Sequence, residues 1–167
     1  MILVIDGYNI IHAIKKLELT LKRGLKEARA SLISFCIQLF SVRCDIEKVY
    51  IVFDGTSDLY CSEESPHPKI RILYTPTGED ADDRIIEILR AYTGKSQVAV
   101  VTNDNYVANN ARSLRANILS ASEFERYSTP RKFQNQKTSE ISPGFPEVSA
   151  NTAKDITEEY KKFLGIR

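Results

Sequence analysis

Met1-Ile2-Leu3-Val4-Ile5-Asp6-Gly7-Tyr8-Asn9 opens the chain with an unbroken apolar run, then one acid and a glycine. The run from Met1 to Ile5 is too short for a helix and does not alternate. That habit belongs to a strand buried on both faces, as at the centre of a parallel sheet covered by helices on each side. Asp6 falls where the strand ends, and Gly7 permits a sharp bend after it. Asp6-Gly7-Tyr8-Asn9 therefore reads as a strand-to-loop transition at the C-terminal edge of the sheet, where open α/β sheets bind their ligands. Two roles compete for Asp6: cap of the next segment, since Asp is a favoured N-cap residue, or site acid.

The pattern recurs along the chain. Val49 to Phe53 is apolar and ends in Asp54-Gly55; Val98 to Val101 is apolar and ends in Thr102-Asn103-Asp104-Asn105. Asp104 either sets a third carboxylate at a strand end or caps the helix expected from Tyr106 to Leu114. Leu25, Ala28, Leu32, Phe35, Cys36 and Leu39 follow a helical period, so Leu25 to Phe40 reads as the first crossover helix. Thr56 to Lys69 is polar, holds Pro66 and Pro68, and reads as an exposed loop with a solvated His67. Ile70 to Tyr74 alternates as a strand, Asn117 to Leu119 is a short last strand, and Ser122-Glu123-Phe124 opens a brief helix. Strands alternating with helices imply an α/β fold of three α/β/α layers around a central, mainly parallel sheet.

Gly78-Glu79-Asp80-Ala81-Asp82-Asp83-Arg84 places four carboxylates within five residues ahead of an apolar-periodic run. Ile85, Ile86, Leu89 and Tyr92 recur at helical spacing, which predicts a helix from about Glu79 to Tyr92. One or two acids in its first turn are favourable against the helix dipole, by roughly 0.3 to 1 kcal/mol each. Four are not explained that way. On a helix Glu79 faces Asp82 and Asp83, and such like charges repel unless a cation or solvent screens them, a divalent metal being the simplest such cation. With the ends of the apolar strands delivering Asp6, Asp54 and Asp104 to the same edge, the set is all-oxygen. It suits magnesium or manganese and does not suit zinc or copper. Two such ions can activate water and stabilise a leaving oxygen in phosphodiester hydrolysis without any histidine.

Composition narrows the alternatives. At 167 residues and 43% hydrophobic, the chain suits one domain plus a tail. Lys and Arg total 23 against 22 Asp and Glu, so a polyanion must be held by local patches rather than by net charge. Lys15, Lys16, Lys22, Arg23, Lys26 and Arg29 form one such run, read either as a solvated face or as a phosphate-binding patch. The three cysteines, Cys36, Cys44 and Cys61, lack C-x-x-C spacing and read as ordinary thiols, with Cys36 in the core. Met1 to Ile5 falls far short of a signal peptide's apolar core or a membrane span, so a cytoplasmic protein without membrane contact is expected. After Tyr127 the composition changes. Residues 128–150 read as a linker or arm, and 151–167 as a C-terminal extension with a short helix, Ile156, Tyr160, Phe163 and Leu164 sharing one face. That face either docks on the domain or binds a second subunit, as in a homo-oligomer.

Ile5-Asp6-Gly7-Tyr8-Asn9-Ile10-Ile11, Val52-Phe53-Asp54-Gly55, Gly78-Glu79-Asp80-Ala81-Asp82-Asp83 and Val101-Thr102-Asn103-Asp104 resemble, in order and spacing, the YacP-like NYN domains of the PIN-like nuclease superfamily. The resemblance covers about residues 1–127, which it marks as the nuclease domain. It implies a PIN-like fold and endonucleolytic cleavage of RNA with magnesium or manganese. It implies that Asp6, Glu79, Asp82 and Asp104 are the catalytic, metal-binding acids, with Asp83 a further candidate ligand and Asn9, Asp54 and Asn103 in support. Asp80 stands where threonine is common in the family and Asn103 where serine is common, which leaves the assignment among Asp80, Asp82 and Asp83 open. Since one bacterial member is a ribosome-associated endoribonuclease, the ribosome is an implied partner. Lys15, Lys22, Arg23, Arg112 and Arg115 are the side chains expected to frame the acidic pocket for RNA. A catalytically silent RNA- or ribosome-binding module and a phosphotransfer regulatory domain are the competing readings. The second lacks the paired acids it needs after the first strand.

Overall fold

In the computed structural model, which describes residues 1–57, 61–63 and 65–128, Ile2–Asp6 forms strand β1 with every residue buried. It pairs in parallel with β2 (Lys48–Ser57), Leu3 opposite Val49, and with β5 (Val98–Val101), Leu3 opposite Ala99. Parallel strands extend both sides: β4 (Ile70–Pro76) beside β2, and β6 (Asn117–Leu119) beside β5. A strand that the polar sequence hid, β3 (Cys61–Glu63), runs antiparallel along β4 inside the stretch expected to be loop. The sheet order is β3-β4-β2-β1-β5-β6.

Successive side chains of a strand point to opposite faces, so β1 feeds two cores. Leu3 and Ile5 join Ile10, Ile11, Leu32, Leu39, Phe53 and Phe124 on one face. Ile2 and Val4 join Val52, Ile85, Leu89, Val107 and Ala111 on the other. At about 1.5 to 3 kcal/mol for each large apolar side chain removed from water, a polar residue at any position from Ile2 to Ile5 would be costly, which is why the run is continuous up to Asp6.

The first face is covered by α1 (Gly7–Ala13), α2 (Lys15–Glu18), a 3-10 segment Leu19–Arg23, α3 (Leu25–Val42) and α6 (Ala121–Tyr127). Helices α4 (Ala81–Tyr92) and α5 (Asn105–Ser113) cover the second. Three elements between β1 and α3 were not expected, and α1 begins directly after β1 where a loop was read. The acidic helix starts at Ala81, not Glu79. Gly78 takes φ +92 and Asp80 is extended, so the chain turns into the helix two residues late. Glu79 therefore shares no helix face with Asp82 and Asp83, and that part of the like-charge argument does not apply. His67 is not simply solvated: its ring stacks on Phe40 at 4.5 Å and its Nδ1 accepts from the Lys69 amide. Cys36 is buried in the first core and Cys44 is exposed.

The chain steps from β1 to β2 to β4 in one direction, then returns past β1 to β5 and β6. The reversal beside β1 opens a crevice at the C-terminal ends of the central strands. Among the described residues no helix is long and apolar enough to cross a membrane. Apart from Ser128, the expected linker and C-terminal helix lie outside the described residues.

Candidate active site

Asp6 ends β1 at the floor of this crevice, only 8% exposed. Its carboxylate fills the capping role. Its Oδ1 accepts from the Asn9 backbone amide at 3.2 Å and caps α1. Its Oδ2 accepts from the hydroxyl of buried Thr102 at 3.2 Å, and that hydroxyl oxygen in turn accepts from the Asp104 amide at 3.0 Å. The end of β5 is thereby tied to the end of β1. Asn9 and Asn103 add a second tie: the Asn103 amide donates to Asn9 Oδ1 at 2.9 Å, and Asn103 Oδ1 accepts from the Ala121 amide at 3.0 Å. Asp104 caps α5, its Oδ1 accepting from the amides of Tyr106 and Val107.

Asp54 anchors the acidic helix. Its Oδ1 accepts from the amide of Ala81, the first residue of α4, at 2.8 Å. Asp82, on the first turn, is thus held facing the ends of β1 and β5. Burial pushes the Asp6 carboxyl up to about 6, with the charges of Asp82 and Asp54 adding to it against the lowering bonds from Asn9 and Thr102. Burial also raises Asp82, together with the charges of Asp104, Asp54, Asp80 and Asp83. Asp82 is therefore the carboxylate felt by acids from three other segments of the chain. Among the described residues no lysine or arginine lies within ion-pair distance of Asp6, Asp54, Asp82 or Asp104; the ion pairs are Lys16–Glu125, Arg43–Asp45 and Arg84–Glu87.

Glu79 is exposed in the turn before α4, and Asp83 is exposed on its first turn. Arg112, bonded to Asn109, lines one cavity with Thr102, Asn103 and Asp104. Lys22 and Arg23 precede α3, whose N-terminal end points to the same edge as the acids, and Lys15 lies on α2. Arg115 stands just before β6, where the parallel strands begin, at the edge opposite the acids.

One arginine at the acid edge was passed over as part of a charge run. Arg29 donates from Nε and Nη2 to the Tyr8 hydroxyl at 3.0 and 2.6 Å. Its guanidinium lies 5.2 to 5.7 Å from the ring centres of Tyr8, Phe53 and Tyr74. Gly7 makes this packing possible, since a Cβ there would meet the Phe53 ring at 2.3 Å. The signal that could have found it is the placement of three aromatics at strand ends beside Asp6, Asp54 and Pro76.

The acidic side chains at this edge are all oxygen donors, the kind a hard divalent cation would accept, and positive charge near Asp6 and Asp82 would relieve the neighbouring acids that help raise them. The set is not closed around one point: among the described residues no three acidic, histidine or cysteine side chains are grouped to hold an ion together.

Comparison with known proteins gives one consistent answer. The family model of the YacP-like NYN domain matches residues 3–164, well past the 1–127 expected. The protein YacP of Bacillus subtilis (strain 168) is 29% identical over 104 residues, a match spanning 62% of this chain and 60% of YacP. The crystal structure of Rae1 (YacP) from Bacillus subtilis, W164L mutant, superposes with a TM-score of 0.62 at 26% identity, covering 76% of this chain and 74% of that one. A second Rae1 (YacP) structure gives 0.61 at 22% identity over 99% of this chain and 82% of that one, a likeness of fold.

Proposed function

Because the chain belongs to the YacP-like NYN domain family, we propose that it is a metal-dependent endoribonuclease that hydrolyses RNA phosphodiester bonds at the crevice beside β1. The observation that carries this reading is Asp82, raised by burial and by carboxylates of other segments and left without a cationic partner among the described residues. Asp6, Asp82 and Asp104 would hold Mg²⁺ or Mn²⁺, with Glu79 and Asp83 flanking them. A bound ion supplies Lewis-acid stabilisation of charge on phosphate and a water of lowered pKa. Asp54 acts at one remove by fixing the start of α4, and Asn9 and Asn103 by fixing the loops that carry Asp6 and Asp104. Tyr106, 55% exposed beside Asp104, offers a ring on which a base can stack.

The absence of a closed three-ligand group among the described residues favours one second reading, a catalytically silent RNA- or ribosome-binding module with the same fold. A single experiment divides them. Labelled RNA, free or on ribosomes, is incubated with Mn²⁺ and the intact protein, Asp6→Asn or Asp82→Asn. The nuclease reading expects cleavage by the intact protein and a loss of about 100-fold or more in each variant, the scale of a lost electrostatic contact to the transition state. Equal cleavage by all three, or by none, sinks it.

A further inference from the structure

Four cations far apart in sequence meet on the opposite side of α4 from Asp6. Helix α4 covers the second face of the sheet over β1 and the near part of β2, and leaves the outer part of β2 and β4 as the floor of an open groove of about 530 Å³. Alternation on β2 points Lys48 and Tyr50 into it, and alternation on β4 points Arg71 into it, directly across the ladder from Tyr50. Helix α4 supplies Arg84 and Tyr92, and the turn after it Lys95. Lys48 Nζ lies 4.8 Å from the Tyr50 ring centre, and the Tyr50 and Tyr92 hydroxyls are 2.6 Å apart, so the two rings stand side by side between the cations. Glu87, ion-paired with Arg84, is the one acid in the lining. Among the described residues Lys48, Arg71 and Lys95 have no carboxylate within ion-pair distance.

We infer that this groove binds single-stranded RNA and leads it to the acid edge, an inference that rests on the ribonuclease reading above. Helix α4 runs against the strands, so the groove passes from the start of β2 up to Arg84, two residues beyond Asp82. Cations on the strand floor and along the helical side match a phosphate backbone, and flat tyrosine rings between them match bases, which stack on aromatics without sequence preference. An acidic protein would use the cations and leave the rings unexplained. The sequence did not point here, because each cation is isolated in its own segment, whereas Lys15, Lys22 and Arg23 form a visible run.

The test is fluorescence anisotropy of a labelled single-stranded RNA 12-mer in EDTA, titrated with the intact protein at several salt concentrations. The variant Lys48→Gln/Arg71→Gln/Lys95→Gln is expected to bind at least 10-fold more weakly. Its log Kd should depend on log salt with a slope shallower by about 2, from roughly 0.7 per phosphate contact of a single strand. The matched set Lys69→Gln/Arg90→Gln/Arg126→Gln, exposed cations outside both the groove and the Lys15 to Arg29 run, is expected to bind as the intact protein does, with unchanged circular dichroism in both sets. Affinity and slope unchanged in the groove variant, or the loss appearing in the matched set instead, overturns the inference. No binding by the intact protein at low salt also overturns it and leaves the groove to an acidic protein. Since EDTA removes cleavage, groove-dependent binding without any cleavage by the intact protein would sink only the nuclease reading, and cleavage with groove-independent binding only this one.

Discussion

Asp6 stabilises the fold as a helix cap and destabilises it as a buried charge, and the balance depends on pH. Its carboxyl is raised from 3.8 to about 6. A raised acid binds its proton more tightly in the folded state, so its cost to stability grows as pH rises from about 4 through 6 and is constant above. At 1.36 kcal/mol per pH unit the cost is up to about 3 kcal/mol. Asparagine keeps the cap and carries no charge. Denaturant unfolding of Asp6→Asn and the intact protein in EDTA should therefore diverge between pH 4 and pH 7, the variant gaining about 3 kcal/mol on the native chain; a flat difference would show that Asp6 is not strained. The strand-end positions of Asp6, Asp54 and Asp104 were legible, because each follows an apolar run that reads as a buried strand. Their partners were not. Thr102 bonds Asp6 across 96 residues and Arg29 bonds Tyr8 across 21, and no periodicity announces a polar contact made by folding.

Helices long enough to show a period were read correctly, as were the short strands Val98–Val101 and Asn117–Leu119 and the brief helix α6, whereas the short helical segments before α3 and the polar β3 were not. Leu25–Val42 and Ala81–Tyr92 repeat their apolar positions several times, whereas the seven residues of α1 make barely two turns and the polar β3 exists by borrowing hydrogen bonds from β4. The start of α4 is the boundary that matters, since the turn at Gly78 decides which acids share a face. That start is held by Asp54 and by the close approach of Gly55 to β4. Asp54→Ala removes the acceptor for the Ala81 amide and should cost about 1 kcal/mol, the usual scale for a lost cap. Its larger effect is expected on cleavage, through a loosened Asp82. Gly55→Ala puts a Cβ 1.8 Å from the Thr75 carbonyl oxygen, which is backbone and cannot rotate away. A loss of about 3 kcal/mol is expected from forced overpacking, read as a lower urea midpoint at constant slope. If the midpoint holds, β2 and β4 are further apart there than the structure places them.

Behind the chain's net charge of +1 the described residues are segregated: acids collect where the parallel strands end, and Lys48, Arg71 and Lys95, with no ion pair among the described residues, collect in the groove behind α4. The fold therefore holds its own carboxylates together against repulsion, and anything that neutralises them should stabilise the entire domain, not only the crevice. At ten times its Kd an ion that binds only the folded state adds about 1.4 kcal/mol, or about 3 to 6 °C for a chain of this size. Thermal unfolding of the intact protein at pH 7.5 should rise by that amount with Mn²⁺ or Mg²⁺, and Asp82→Asn or Asp104→Asn should lose most of the rise. Near pH 5 the rise should shrink in the intact protein too, because Asp6 is then largely protonated and no longer needs a cation. An intact protein indifferent to both ions at pH 7.5 would leave the fold and the family in place while removing the metal from the chemistry, and the silent RNA-binding module would become the better account of why these acids are gathered.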